Sequence, residues 1–205
     1  MEFYRDLGVV VDRNLKFHLH VKSMVGKAGG MISNLLRSTV CRSPKVMVKL
    51  FVSHVRPLLD YCSCMWSTGY IGDLKVMESL QRKWTREIEG VGHLEYRERL
   101  KSVGLYSLKG RLLRMDLIKV WKSFNAVVDV GLSSLFQRAT YSGTRGHELK
   151  LVVPMCSTEM RRRFMAVRVV GKWNSLPERV VLKTSLHSFK TALDVFLGDQ
   201  LFDFC

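Results

Sequence analysis

Ser43-Pro44-Lys45-Val46-Met47-Val48-Lys49-Leu50-Phe51-Val52-Ser53-His54-Val55-Arg56-Pro57-Leu58-Leu59 is the stretch that decides the fold class. Ser43 offers an N-cap oxygen, and Pro44 suits a first turn because it has no N–H to leave unpaired. Met47, Leu50, Phe51, Val55 and Leu58 recur at steps of one, three and four, which places them on one helical face. Pro57 lacks the N–H that the helical ladder needs, so the helix is expected to bend or break near Val55. Lys45, Lys49 and Arg56 lie at spacings of four and seven and are expected to share the opposite face.

The same period extends in both directions. Leu15, Leu19, Val25, Ala28, Ile32 and Leu35 predict an amphipathic helix over 15–37. Gly29-Gly30 inside it costs about 1 kcal/mol per glycine relative to alanine, and reads as a kink or a close approach of another backbone. Upstream, Leu7-Gly8-Val9-Val10-Val11 reads as a strand leaving a turn, with no partner strand before it and therefore the edge of something larger. Downstream, Asp73 is expected to cap a helix with Leu74, Met77, Leu80, Trp84 and Ile88 inward and Gly90 as its stop. A short helix over 96–103 ends at Gly104. Ser107 opens another, with Leu113, Leu117, Trp121 and Phe124 inward and Lys109, Arg111, Arg114, Lys119 and Lys122 outward. Residues 126–147 read as a loop, Glu148 to Val153 as a weak strand, and Phe164 to Trp173 as a mixed segment. Asn174 to Pro177 reads as a turn. Ser185 caps a last helix carrying Leu186, Phe189, Leu193 and Phe196 that closes at Gly198. The expected fold class is mainly α, with a residual N-terminal strand and a small mixed C-terminal extension.

The 205 residues carry 33 Lys+Arg against 18 Asp+Glu, a net charge of +15, with 47% apolar residues. That apolar share excludes a disordered basic tail. No apolar run approaches the ~20 residues of a membrane span. The start Met1-Glu2-Phe3-Tyr4-Arg5-Asp6 is unlike a secretory signal, so an intracellular, unsecreted chain is expected. Five cysteines, Cys41, Cys62, Cys64, Cys156 and Cys205, read as reduced thiols. Cys62-Ser63-Cys64 has one intervening residue where zinc sites use two to four, and no second pair follows.

The charge is concentrated. From Arg13 to Leu59 there is no acid and there are nine basic residues: Arg13, Lys16, Lys22, Lys27, Arg37, Arg42, Lys45, Lys49 and Arg56. Arg138 to Lys172 holds eight, Arg161-Arg162-Arg163 among them, against Glu148 and Glu159. These blocks contribute +9 and +6, the whole of the net charge. A solvated helical face normally mixes both signs, so an acid-free run of this length points to a polyanionic partner, nucleic acid phosphate above all. A merely basic surface and an anionic membrane are the competing readings. The membrane reading is weaker because the cations are spread through patterned helices rather than massed in one amphipathic tail. The chain has no Gly-rich phosphate loop, no HExxH, no nucleophile elbow and no adjacent carboxylate pair beside a strand for two-metal chemistry. It reads as a binding body without an active centre.

Several segments, in order, resemble the C-terminal part of the reverse transcriptase polyprotein of non-LTR (LINE) retrotransposons, of the jockey and chicken-repeat type. Arg5-Asp6-Leu7-Gly8-Val9-Val10-Val11-Asp12 is similar to that family's strand closing the palm. His20-Val21, Lys27-Ala28 and Leu36-Arg37 are similar to its following helix. Leu50 to Tyr61, containing Arg56-Pro57-Leu58-Leu59-Asp60-Tyr61, and the later Trp66 are similar to its "LY…lvRP.LEY" segment. Leu80-Gln81-Arg82-Lys83-Trp84, Tyr96-Arg97-Glu98-Arg99-Leu100, Gly104 to Leu108, Thr144-Arg145-Gly146, Trp173-Asn174-Ser175-Leu176-Pro177 and Phe189 to Asp194 resemble its later signatures. One arginine, Arg111, stands where the family usually has two, and Trp66-Ser67-Thr68 lacks the usual proline.

The resemblance implies a palm edge at 1–14, a helical thumb-like region at 15–125, a linker at 126–147 and a C-terminal extension at 148–205. It implies an RNA-directed DNA polymerase as parent, with Mg held by palm aspartates that these residues do not include, so no cofactor of this chain's own and no polymerase activity alone. The implied partners are RNA–DNA hybrid or duplex and the element's RNA, in a nuclear or cytoplasmic ribonucleoprotein. Self-association is expected through an apolar palm-facing surface around Val9, Val11 and Leu15. Candidate phosphate contacts are Lys16, Lys22, Lys27, Arg37, Arg42, Lys45, Lys49, Arg56, Arg82, Arg161, Arg162 and Arg163. Gln81 and Trp84 are weighed as base or sugar contacts, with a core role for Trp84 favoured by its place on the apolar stripe. The contrasting reading is an inert or protein-binding helical relic of a decayed element.

Overall fold

In the computed structural model, which describes residues 3–125, 133–139 and 146–204, the valine-rich N-terminal run folds back on itself. β1 (Phe3–Asp6) pairs antiparallel with β2 (Val9–Asp12), with Asp6 opposite Val9. The strand expected to lack a partner thus finds one in residues 3–6. The two-residue turn Leu7-Gly8 has φ of 43° and 86°, the positive values that suit a twisted hairpin. Glycine adopts this freely; Leu7 is held in it, its carbonyl accepting from the Tyr61 hydroxyl at 2.8 Å.

The first helix begins three residues later than its apolar pattern suggests. The Asp12 carboxylate accepts from the backbone N–H of Asn14, Lys16 and Phe17 at 3.0, 3.2 and 2.7 Å, winding these residues into a turn. Leu15 and Phe17 adopt positive φ there. α1 (His18–Ser38) then buries His20, Val21, Met24, Ala28 and Ile32, while Leu15 stays 42% exposed. The helix runs unbroken through Gly29-Gly30. A Cβ on Gly29 would lie at ordinary contact distance, 3.6 Å, from the Leu80 side chain, and one on Gly30 would meet open space, so the pair marks neither a kink nor a close approach of another backbone.

Pro57 acts as expected but in a particular form. α2 (Pro44–Leu50) continues as a π-helical turn (Phe51–Val55) and then as α3 (Arg56–Asp60). The Arg56 N–H reaches back five residues to the Phe51 carbonyl. The buried residues are Met47, Phe51, Val55 and Leu59, all four apart. Steps of four drift by about 40° each on a regular helix, and the extra residue of the π turn absorbs that drift. Leu59 thereby takes the core position expected of Leu58.

α4 (Ser63–Trp66), α5 (Ile71–Arg86), α6 (Tyr96–Val103) and α7 (Leu108–Phe124) follow. α5 starts after Tyr70, so Asp73 lies in its first turn, where it meets His18 Nδ1 at 2.7 Å, and is not the cap. α6 ends in a Schellman motif: Leu105 N–H donates to Leu100 O and Gly104 N–H to Lys101 O, with Gly104 at φ 67°. Ser107 caps α7 by accepting from Gly110 N at 3.0 Å. Met1–Leu112 with Phe202–Cys205 forms one unit and Leu113–Leu201 a second, the boundary falling inside α7. In the first unit Trp66, Trp84, Phe51, Ile32, Met47, Leu59 and Leu100 are fully buried. Each such side chain contributes about 1.5–3 kcal/mol.

The second unit is built around Trp121, Trp173 and Phe189, with Trp121 stacked on Phe189 at 5.3 Å. α8 (Glu159–Arg163) buries no residue, α9 (Met165–Asn174) carries Trp173, α10 (Glu178–Val181) buries Val180 and Val181, and α11 (Leu186–Leu197) carries Phe189. The expected strand at 148–153 is a single antiparallel bridge, Arg138 to Leu151. Asn174 fixes it, its side chain accepting from Leu151 N and donating to Leu151 O, both at 2.8 Å. Trp173 donates to Leu149 O at 2.8 Å. Ser185 caps α11 through Ser188 N at 3.1 Å. Most of the expected loop, 126–132 and 140–145, lies outside the described residues. Cys41, Cys62, Cys64 and Cys156 are free thiols.

Candidate nucleic-acid interface

The fold sorts the basic residues into two kinds. Outside the acid-free stretch, three half-buried arginines are paired with acids, Arg111 with Asp60, Arg114 with Asp194 and Arg168 with Asp116, while the buried Arg99 donates instead to the Gly92 carbonyl at 3.0 Å. Inside it, Lys16, Lys22, Lys27, Lys45 and Lys49 are exposed. Among the described residues none of these five has an acid within ion-pair distance. Lys16 projects from the turn organised by Asp12, Lys22 and Lys27 from α1, and Lys45 and Lys49 one turn apart on α2. Lys45 and Lys49 flank a shallow groove of about 430 Å³ that includes Val48, Val52 and Val103.

The other candidates are more constrained. Arg37 is exposed and donates to Asn34 Oδ1 at 2.7 Å. Arg42 is tied down, its guanidinium donating to Leu36 O at 2.7 Å while its carbonyl accepts from Glu89 N at 2.9 Å. Arg82 lies over the Tyr96 ring at 4.2 Å. In the second unit, Arg161 and Arg162 are exposed on the five-residue α8, and Arg163 pairs with Glu159 at 2.7 Å.

Arg56 does not share the Lys45–Lys49 face. The extra residue of the π turn rotates it by roughly a quarter turn, and it is half-buried. Four residues on, Asp60 gives both its oxygens to Arg111: Arg111 Nε donates at 3.1 and 3.0 Å and Nη2 at 2.5 Å. Arg56 is left with a buried Nε that has no partner. Burial first, then the neighbouring Arg111 charge, push its pKa down to about 10 against the pull of Asp60. It remains a cation at neutral pH.

A cavity of about 420 Å³ lies between the Leu7-Gly8 turn, α1 and α3. His20, Ser23, Met24 and Lys27 of α1 line one wall and Pro57, Leu58 and Tyr61 another. His20 is kept neutral: burial lowers its pKa first, and Lys27 and Arg5 add to this. Its Nδ1 accepts from Val10 N at 3.3 Å. The α1 wall follows the 3–4–7 period, and that spacing is the signal that could have revealed it.

Gln81 and Trp84 are core residues. Both are fully buried; Gln81 donates to Tyr106 O at 2.9 Å and Trp84 Nε1 to Met47 O at 3.1 Å. Val9 and Val10 are buried too, while Leu15 is exposed as expected, and Phe3, Tyr4 and Leu7 add to the exposed apolar surface at this end. Among the described residues no three His, Cys, Asp or Glu side chains gather to hold a metal ion, and no helix is long and apolar enough to cross a membrane. No protein-family model, no curated protein and no solved structure matches this chain.

Proposed function

We propose that this chain grips nucleic-acid duplex, RNA–DNA hybrid in particular, by contacts to phosphates, as part of a non-LTR retrotransposon reverse transcriptase. The observation that carries the reading is the set of exposed lysines at 16, 22, 27, 45 and 49, none with an acid partner among the described residues, beside the half-buried Arg111, Arg114 and Arg168, which are each held by an acid. Lysines on rigid helices neutralise phosphates of either strand without reading sequence. The resemblance adds the partner class, the element's RNA and an intracellular ribonucleoprotein. The polymerase chemistry would belong to the palm.

The test is a binding titration on a short RNA–DNA hybrid across salt. About five phosphate contacts give a log–log slope near −4 to −5. Absent binding, or a flat slope, would sink the reading. A second reading, association with protein or with another copy, is favoured by Phe3, Tyr4 and Leu7, which are 58, 64 and 82% exposed on one hairpin. Sedimentation at several concentrations separates the two: a monomer throughout removes self-association.

A further inference from the structure

We propose that Arg56, beside the Arg111–Asp60 pair, is a built anchor for one phosphate group, either in a polynucleotide backbone or free. Two guanidinium groups converge where one carboxylate serves both. Asp60 is taken by Arg111 in a fork. Arg56, half-buried, feels the charge of Asp60 only as the second claimant on it, and its inner N–H has no acceptor. Such a group costs stability unless an anion completes it, and a guanidinium edge fits two phosphate oxygens side by side. The π turn is what aims Arg56 here, away from the exposed lysines. The site deepens the duplex-gripping reading by naming a half-buried contact, yet it can stand without it.

Inorganic phosphate is the probe, with the full chain and chloride of equal ionic strength as control. At about 10 mM phosphate the parent should melt about 3 °C higher than in chloride, as expected for a site of millimolar affinity. Arg56→Met should abolish that rise and, in chloride, melt no lower than the parent, because a half-buried cation with no hydrogen-bond partner for its inner N–H has been removed. Arg56→Lys, which keeps the charge but loses the fork, should retain less than half of the rise. On RNA–DNA hybrid, Arg56→Met should lower the salt slope by about one. A phosphate response unchanged in Arg56→Met overturns the proposal. So does an Arg56→Met chain that melts lower or fails to fold in chloride, which would mark Arg56 as structural. A response that depends on Arg56 in a chain with no hybrid binding keeps the site for a free phosphate group and removes the duplex reading. Hybrid binding without a phosphate response does the reverse.

Discussion

The Glu78 carboxylate on α5 accepts from the backbone N–H of Leu108, the first residue of α7, at 2.9 Å. It thus caps a helix thirty residues away. Its other oxygen takes the Tyr96 hydroxyl and lies 3.4 Å from Gln81 Nε2. All of this is buried. Burial raises the Glu78 pKa, against the Tyr96 and backbone hydrogen bonds that lower it.

The sign of the pH effect follows. A raised folded pKa means the folded chain holds a proton that the unfolded chain releases. The stabilisation is complete below the ordinary carboxyl value of 4.5 and is lost as pH climbs from there through the folded value. Chemical melts from pH 4 to 8 should show the first unit weakening over that window, and Glu78→Gln should flatten the dependence. Glu78→Ala leaves the Leu108 N–H and the Tyr96 hydroxyl unpaired and should cost roughly 3 kcal/mol. A Glu78→Gln chain with the parent's pH dependence would refute the assignment.

Trp84 joins α5 to α2 through Met47 O. Trp84→Phe loses that donor and some volume, and should destabilise by about 1–3 kcal/mol. Trp84→Ala should cost about 3–5 kcal/mol. Once corrected for the folded fraction by circular dichroism, Trp84→Phe should bind hybrid as the parent does. A folded variant with weakened affinity would return Trp84 to the list of ligand contacts.

The π turn behaves as a one-residue insertion in a helix. Deleting Ser53, an exposed residue of that turn, should leave a regular helix with the buried steps four, three and four. The deletion should therefore fold, with a loss below about 2 kcal/mol, although a deletion inside a regular helix would rotate everything beyond it by about 100°. Loss of cooperative unfolding in the deletion would show that the extra residue is required.

Lys45 and Lys49 stand free on α2. Reversing both to glutamate should leave the helical signal unchanged and weaken binding to all hybrids alike. The salt slope should fall by about two, because phosphate contacts position without specifying. Equal binding by a folded double variant would remove α2 from the interface.

The mainly helical class, the helix starts at Ser107 and Ser185 and the stop at Gly104 were legible because each rests on a local rule: a side-chain cap, a left-handed glycine or a 3.6-residue period. The acid-free cation run was equally plain, since charge is a property of composition. What the sequence alone left open depends on neighbours distant in the chain. Nothing near Glu78 or Gln81 announces that they are buried. They become so because Tyr96, Tyr106 and Leu108 arrive to satisfy their polar atoms. Asp60 and Arg111 are fifty-one residues apart, and their fork leaves Arg56 without a hydrogen bond to that carboxylate. Many of the residues that carry the family resemblance, Asp60, Trp66, Tyr96, Arg99, Trp173 and Asn174 among them, are held by the fold itself. Periodicity tells which face of a helix turns inward. Only the packed structure decides which polar side chains are drawn in with it, because a buried polar group is tolerable only where a partner meets it.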